Sequence, residues 1–118
     1  MKTILIVEDT ELNIDLLTQL LEDDYHLLVA RDGLQGVSMA TEHNPDLILM
    51  DISLPILDGY EATRTIRKSK PALPIIGLSA HAMEGHEQKA KEAGCNEYLT
   101  KPVNDDLLFK MLKRFLGE

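Results

Sequence analysis

Leu47-Ile48-Leu49-Met50-Asp51 decides the architecture: four apolar residues followed by a single carboxylate. Asn44-Pro45 precedes this run and Pro55 follows it. A stretch so short and so sharply bounded reads as a buried strand, not a helix. Its last residue is the unusual one. An ionised side chain is costly to bury, so Asp51 is expected where the strand leaves the core, at a sheet edge facing a cleft.

Runs of the same kind recur on both sides. Ile4-Leu5-Ile6-Val7 ends on Glu8-Asp9, and His26-Leu27-Leu28-Val29-Ala30 ends near the turn Asp32-Gly33. Pro74-Ile75-Ile76-Gly77-Leu78 ends on Ser79-Ala80, and the short Glu97-Tyr98-Leu99-Thr100 ends on Lys101-Pro102. Between them lie segments with helical patterning. The first helix runs from a Thr10 cap to about Asp23, with Thr10 and Asn13 forming at best a weak capping box. Its apolar residues Leu12, Ile14, Leu16, Leu17, Leu20 and Leu21 spread over about 200°, against about 100° for an ordinary core stripe. Leu12 or Ile14, at the rim, is therefore expected to stay exposed.

A second helix runs from about Leu34 to His43, closed by Asn44-Pro45, and a third from Tyr60 to Lys68. A fourth, from about Met83 to Ala93, is stopped by Gly94. Its thin apolar face of Ala82, Met83, Ala90 and Ala93 makes it the least firmly anchored. Asn104 caps the last helix, with Asp105 and Asp106 well placed in its first turn. Strand and helix alternate five times without a repeat or a linker. Continuous apolar strands in that order mean a parallel sheet covered by helices on both faces. A barrel needs eight units, so the sheet is open and doubly wound.

The totals narrow the function. The 118 residues fit one domain, 1–118, with its own core. A hydrophobic fraction of 44% and a charged fraction of 27% are those of a soluble globular chain. No apolar run approaches the roughly 20 residues of a membrane span. With a strand starting almost at Met1, no signal peptide is expected, and the chain reads as complete. Cys95 is the only cysteine, which excludes an internal disulfide and fits a reducing cytoplasm. Twelve Lys and Arg against 20 Asp and Glu leave a net charge of -8, which argues against direct nucleic-acid binding.

Parallel strands all finish at one edge, so Glu8-Asp9, Asp51, Ser79 and Lys101 should meet there, where open α/β sheets bind ligands. Carboxylates crowded at one mouth repel: a pair about 4 Å apart costs roughly 4 kcal/mol at an effective dielectric near 20. The remedy is a raised pKa or a bound cation, and oxygen ligands of this kind suit Mg²⁺ or Mn²⁺. Lys101 adds an ammonium and Ser79 a hydroxyl donor, while the small Ala80 leaves the approach open. Metal, ammonium and hydroxyl around one carboxylate nucleophile are the requirements of phosphoryl transfer to an aspartate.

Val7-Glu8-Asp9, Leu49-Met50-Asp51, Leu54-Pro55 with Asp58-Gly59, Leu78-Ser79-Ala80, Ala93-Gly94 and Tyr98-Leu99-Thr100-Lys101-Pro102 together resemble the receiver domain of two-component response regulators. The resemblance runs from end to end. It implies a flavodoxin-like sheet of strand order 2-1-3-4-5 and a non-enzymatic phosphoacceptor that assists its own phosphorylation and slow dephosphorylation. By that resemblance Asp51 accepts a phosphoryl group from a phosphohistidine. Asp9, Asp51 and the Ser53 backbone carbonyl would ligate Mg²⁺, with Glu8 assisting through water. Ser79 and Lys101 would bind the phosphoryl oxygens, Tyr98 would follow Ser79 as a switch, and Lys101-Pro102 would be cis. Ser53 and His81 occupy positions that tune phosphoryl lifetime in such proteins.

The implied partners are a histidine kinase or a histidine phosphotransfer protein, and a downstream protein effector. Leu12, Asn13 and Ile14 are candidate docking residues for a phosphohistidine-bearing helix, although Asn13 also reads as a polar residue at a solvated helix end. Phe109 and Leu116, at the rim of the last helix, join the fourth helix and last strand in a candidate signalling face. Tyr98 reads equally as an ordinary edge aromatic, and Cys95 as a small buried residue. His81 and His86 fall on different helical faces, which disfavours a zinc pair. A phosphatase with a phospho-aspartate intermediate is the enzymatic alternative; haloacid-dehalogenase-like enzymes carry a second Asp two residues after the nucleophile, where this chain has Ser53. A phosphorylation-independent scaffold is the third class, and the intact acidic set argues against it.

Overall fold

The structure is a computed structural model and describes residues 1–54, 57–80 and 86–117. Its elements are β1 (Thr3–Val7), α1 (Glu11–Leu21), β2 (His26–Ala30), α2 (Gly33–His43), β3 (Leu47–Asp51), α3 (Gly59–Ser69), β4 (Ile75–Ser79), α4 (His86–Ala93), β5 (Glu97–Thr100) and α5 (Asp105–Leu116). The expectations for Pro55, Ile56, His81, Ala82 and Met83 lie outside the described residues. α1 stops at Leu21 rather than Asp23, and the acidic Glu22-Asp23-Asp24 forms the turn into β2. A negative run at a helix C-terminus opposes the helix dipole.

The five strands are parallel in the order β2-β1-β3-β4-β5, the open doubly wound sheet expected. Every residue of β3 and β4 is buried, which is why those strands carry no polar alternation. One face of the sheet (Ile4, Ile6, Leu47, Leu49, Ile76, Leu78) packs on Leu17 and Leu21 of α1 and on Leu108, Leu112 and Leu116 of α5. The opposite face (Leu5, Val7, Ile48, Met50, Ile75) packs on Ala40 of α2, Ala62 and Ile66 of α3, and Ala90 of α4. Each large aliphatic side chain so buried contributes roughly 1.5–3 kcal/mol. Among its described residues α4 buries only Ala90 and Ala93, so its grip on the core is thin, as anticipated.

Leu12 meets the expectation that it or Ile14 stays exposed, whereas Ile14 as a docking residue and Leu116 as part of a signalling face need correction. Ile14 is buried at 5% exposure while Leu12 stands 66% exposed. Two residues apart on a helix means about 200° of rotation, so when one faces the core the other cannot. Leu16, one turn beyond Leu12, is 55% exposed and continues its stripe. Leu116 is also buried, because it extends the Leu108–Leu112 stripe by one more turn. Leu107 and Phe109 are the exposed apolar residues of α5.

Among the described residues, three helices start on side-chain caps. Asp32 accepts from the Gln35 amide (2.8 Å), Asp58 from Glu61 (3.0 Å) and Asn104 from Leu107 (2.9 Å). Thr10 occupies the N-cap of α1 in an extended conformation, but its side chain makes no capping bond. The Thr10–Asn13 capping box therefore does not form.

Candidate functional site

Register brings the strand ends together. Val7 pairs with Met50, Asp51 with Leu78, and Ser79 with Thr100. The residues that follow, Glu8 and Lys101, thus reach the same edge as Asp51 and Ser79. Carboxylate oxygens of Glu8, Asp9 and Asp51 lie within 4.8 Å of one another. Lys101 Nζ is 2.6 Å from Glu8 Oε1 and 3.4 Å from Asp51 Oδ2. Glu8, Asp51 and Ser79 are buried, whereas Asp9 is exposed at the mouth.

Backbone donors hold the carboxylates in place. Glu8 Oε2 accepts from the Asp9 and Thr10 amides (3.1 and 3.3 Å), so it serves the connecting loop rather than capping α1. The Ser53 amide donates to Asp51 Oδ1 at 3.1 Å. Ser53 therefore turns its N–H toward Asp51. The Lys101–Pro102 bond is cis, and the Lys101 amide donates to the Ser79 carbonyl at 2.7 Å.

Three carboxylates against one ammonium leave an excess of negative charge. Burial, the largest influence on Asp51, combines with the adjacent Glu8 to push its carboxyl up to about 7, against the opposing pull of Lys101 and the Ser53 amide. For Glu8 burial is again the largest influence and opposes ionisation. The hydrogen bond to Asp51, the Lys101 ammonium and the Thr10 amide together outweigh it and hold Glu8 below the usual carboxylate range. Glu8 has the closer ammonium, so of the two carboxyls Asp51 is the one pushed toward its protonated form.

This donor set fits a hard divalent cation. Clustered carboxylate oxygens, one of them from an exposed residue, leave room for water in the remaining positions of an octahedron. A cation there would also displace the Asp51 proton by favouring the charged form.

Tyr98 lies half-buried on β5, paired with Gly77 and packed with Ile52 and Cys95 in the second core cluster. A Cβ on Gly77 would lie 3.5 Å from the Tyr98 ring, an ordinary contact, and a tighter 3.3 Å from Cys95 Sγ and Ile52 Cδ1. On the other side of the edge, a groove of about 500 Å³ runs between α1 and the start of α5. Asn13, Leu16, Leu17, Leu20 and Val103 line it, and it reaches Glu8 and Lys101. Asn13 thus lines the groove that reaches the carboxylate cluster, Leu12 stands exposed beside it on α1, and the buried Ile14 does not offer a contact.

Sequence reasoning missed Arg67 at the opposite end of the strands. Its guanidinium donates to the carbonyls of Gly94 (2.8 Å), Lys70 (2.9 Å) and Leu73 (2.5 Å), and to Asn96 Oδ1 (2.6 Å). Asn96 Oδ1 also accepts from the Ile75 amide at 2.8 Å. Burial lowers the pKa of this cation, whose described hydrogen bonds all go to neutral acceptors. In sequence Arg67 looked like any basic residue favourably placed in a last helical turn.

The family described as response regulator receiver domain matches residues 4–113. The polar-differentiation response regulator DivK of Brucella ovis is 38% identical over 120 residues, covering 99% of this chain and 98% of its own. The receiver domain of sensor histidine kinase PA1611 from Pseudomonas aeruginosa, solved with magnesium coordinated in its active-site cleft, superposes with a TM-score of 0.91 at 39% identity, covering 99% of this chain and 98% of that one. A chain in the co-crystal structure of the Saccharomyces cerevisiae phosphotransfer protein Ypd1 with the receiver domain of Ssk1 superposes with a TM-score of 0.89 at 32% identity, covering 97% and 88%.

Proposed function

The chain belongs to the response regulator receiver domain family of signalling switches, and on that premise we propose that Asp51 is its phosphoacceptor. The observation that carries this is the Asp51 carboxylate itself. It stands at the end of β3 among two further carboxylates and within 3.4 Å of a lysine ammonium. Asp9, Asp51 and the Ser53 carbonyl hold Mg²⁺, with Glu8 assisting through water; Mn²⁺ fits the same donors. When bound, the cation neutralises charge on the transferring phosphoryl group.

Asp51, deprotonated, attacks phosphorus as the P–N bond of the donor phosphohistidine breaks. The imidazole leaves with that electron pair and takes a proton, and an acyl phosphate remains on Asp51. Lys101 and the Ser79 hydroxyl bind the new oxygens, so the domain assists its own phosphorylation and later hydrolysis. Tyr98, packed across Gly77 beside β4, follows the movement of Ser79. The change is read on α4, β5 and the exposed Phe109 of α5 by a downstream protein effector.

The phosphoryl donor is a histidine kinase or a histidine phosphotransfer protein. Its helix docks on the exposed Leu12, on Asn13 and along the groove beside the carboxylates. The free thiol of Cys95 suits the reducing cytoplasm in which we place the protein.

Incubation with acetyl phosphate and Mg²⁺, followed by intact mass spectrometry, tests the assignment. The wild type should gain one phosphoryl group and Asp51→Asn none. Equal labelling of the Asn variant would overturn it.

A further inference from the structure

The first residue of α2, far from Asp51 in sequence, stands against the loop that carries the cation ligands. A Cβ at Gly33 would lie 1.7 Å from the Leu57 carbonyl oxygen, 2.6 Å from its carbon and 2.8 Å from its Cβ. Real Cβ atoms essentially never approach a neighbour closer than 3.0 Å, so any side chain would drive Leu57 outward by more than an ångström. Backbone conformation does not demand glycine here, since the described glycines with positive φ are Gly94 and Gly117. Glycine is also the poorest helix former after proline. The requirement is therefore space against Leu57.

Leu57 belongs to the connection from β3 to α3, which is clamped on its inner side. The Gly59 amide donates to the Ile52 carbonyl at 2.9 Å, and a Cβ on Gly59 would lie 2.2 Å from the Asp51 carbonyl oxygen. Asp58 caps α3 through Glu61, and the Ser53 amide holds Asp51. A push on Leu57 is thus passed by Asp58 and Gly59 to the segment Asp51–Ser53. α2 cannot give way easily, because Gly36 packs closely on Val7 and Ala40 is buried in the core beneath the helix.

We infer that Gly33 is a positioning residue for the divalent cation: by letting α2 seat against Leu57, it sets the β3–α3 connection at the distance that octahedral coordination requires. This rests on the assignment of Asp51 and the Ser53 carbonyl as ligands. Mg²⁺ demands near-ideal octahedral geometry at short distance, whereas Ca²⁺ accepts longer and less regular bonds. A displaced connection therefore costs Mg²⁺ more than Ca²⁺. Gly36 supplies the control. It lies one turn along the same face, where a Cβ would meet Val7 side-chain methyls at 2.9 and 3.1 Å and no part of the connection among its nearest neighbours.

Calorimetric titration of the full chain with Mg²⁺ and with Ca²⁺, alongside thermal melts in EDTA, tests this. Gly33→Ala should lose affinity for Mg²⁺ about tenfold, the scale of a disturbed supporting contact at a metal site, and lose less for Ca²⁺. Gly36→Ala should melt earlier than wild type in EDTA yet keep both affinities. Unchanged Mg²⁺ affinity in Gly33→Ala, or equal losses for the two ions, would overturn the inference while leaving the phosphoacceptor assignment standing. A wild type that binds no Mg²⁺ would remove both. Should Gly33→Ala not fold, Leu57→Gly takes its place: it frees the backbone braced against Gly33 without a clash, and undiminished preference for Mg²⁺ over Ca²⁺ would equally overturn the inference.

Discussion

Replacing Asp51 by Asn should stabilise the metal-free protein, and the gain should depend on pH in a defined way. The folded protein holds the Asp51 proton up to about 7, whereas the unfolded chain releases it near 3.8. The stability this residue contributes is complete below 3.8 and is lost as pH rises through about 7. At about 1.4 kcal/mol for each pH unit, the cost of ionising Asp51 at pH 8 approaches roughly 4 kcal/mol; water reaching the partly open mouth reduces it toward about 2 kcal/mol. Asn has no charge to bury, and its amide can donate to Glu8 as the protonated carboxyl does. Urea denaturation in EDTA should therefore find Asp51→Asn more stable than wild type by about 2–4 kcal/mol at pH 8. The difference should shrink to nothing near pH 4. Saturating Mg²⁺ should close the gap at pH 8 from the other side, because ligand binding stabilises only the wild type. A variant no more stable than wild type at pH 8 in EDTA, or a difference independent of pH, would refute the claim that Asp51 is a buried, charge-frustrated carboxyl.

Lys101→Met should leave Glu8 buried without its cation and destabilise the metal-free protein by about 3–5 kcal/mol at pH 7. Because Glu8 is held below the usual carboxylate range, the stability it contributes is present above about 4.5 and is lost as pH falls, so denaturation at pH 4 should show a smaller difference. Arg67→Met should cost about 2–4 kcal/mol by leaving several acceptors unpaired; labelling by acetyl phosphate should be unchanged, since Arg67 sits at the far end of the strands. Leu12→Asp should slow transfer from a phosphohistidine donor about tenfold or more. Its labelling by acetyl phosphate, which needs no docking surface, should match wild type.

The strands were legible because each is a short apolar run with its own punctuation, and burial on both faces leaves little room for another reading. Asp51, Glu8 and Ser79 were legible for the same reason, since a polar residue directly after an apolar run lies at the edge, and Lys101 was legible because it follows the last strand of the same parallel sheet. Helix faces were harder. The wide apolar arc of α1 contained more leucine than one face can bury, and sequence could not decide which residues would be left out. Tertiary packing settled that Ile14 goes in while Leu12 and Leu16 stay out. Leu116 likewise followed the Leu108–Leu112 stripe into the core rather than joining Phe109 at the surface.

Gly33, Arg67 and Asn96 mark the other boundary. Gly33 reads in sequence as half of a turn, Arg67 as a surface cation, and Asn96 as a polar residue before a strand. Each acquires its role from a neighbour distant in the chain: Leu57 for Gly33, Gly94 for Arg67, and Ile75 for Asn96. Hydrophobic patterning and turn chemistry are local, so the order of elements and the edge at which the carboxylates gather followed from the amino-acid string alone. The distances among those carboxylates, the push of Asp51 toward its protonated form and the wall behind the β3–α3 connection depend on how separate elements pack. No local pattern encodes such contacts, and only the folded chain decides them.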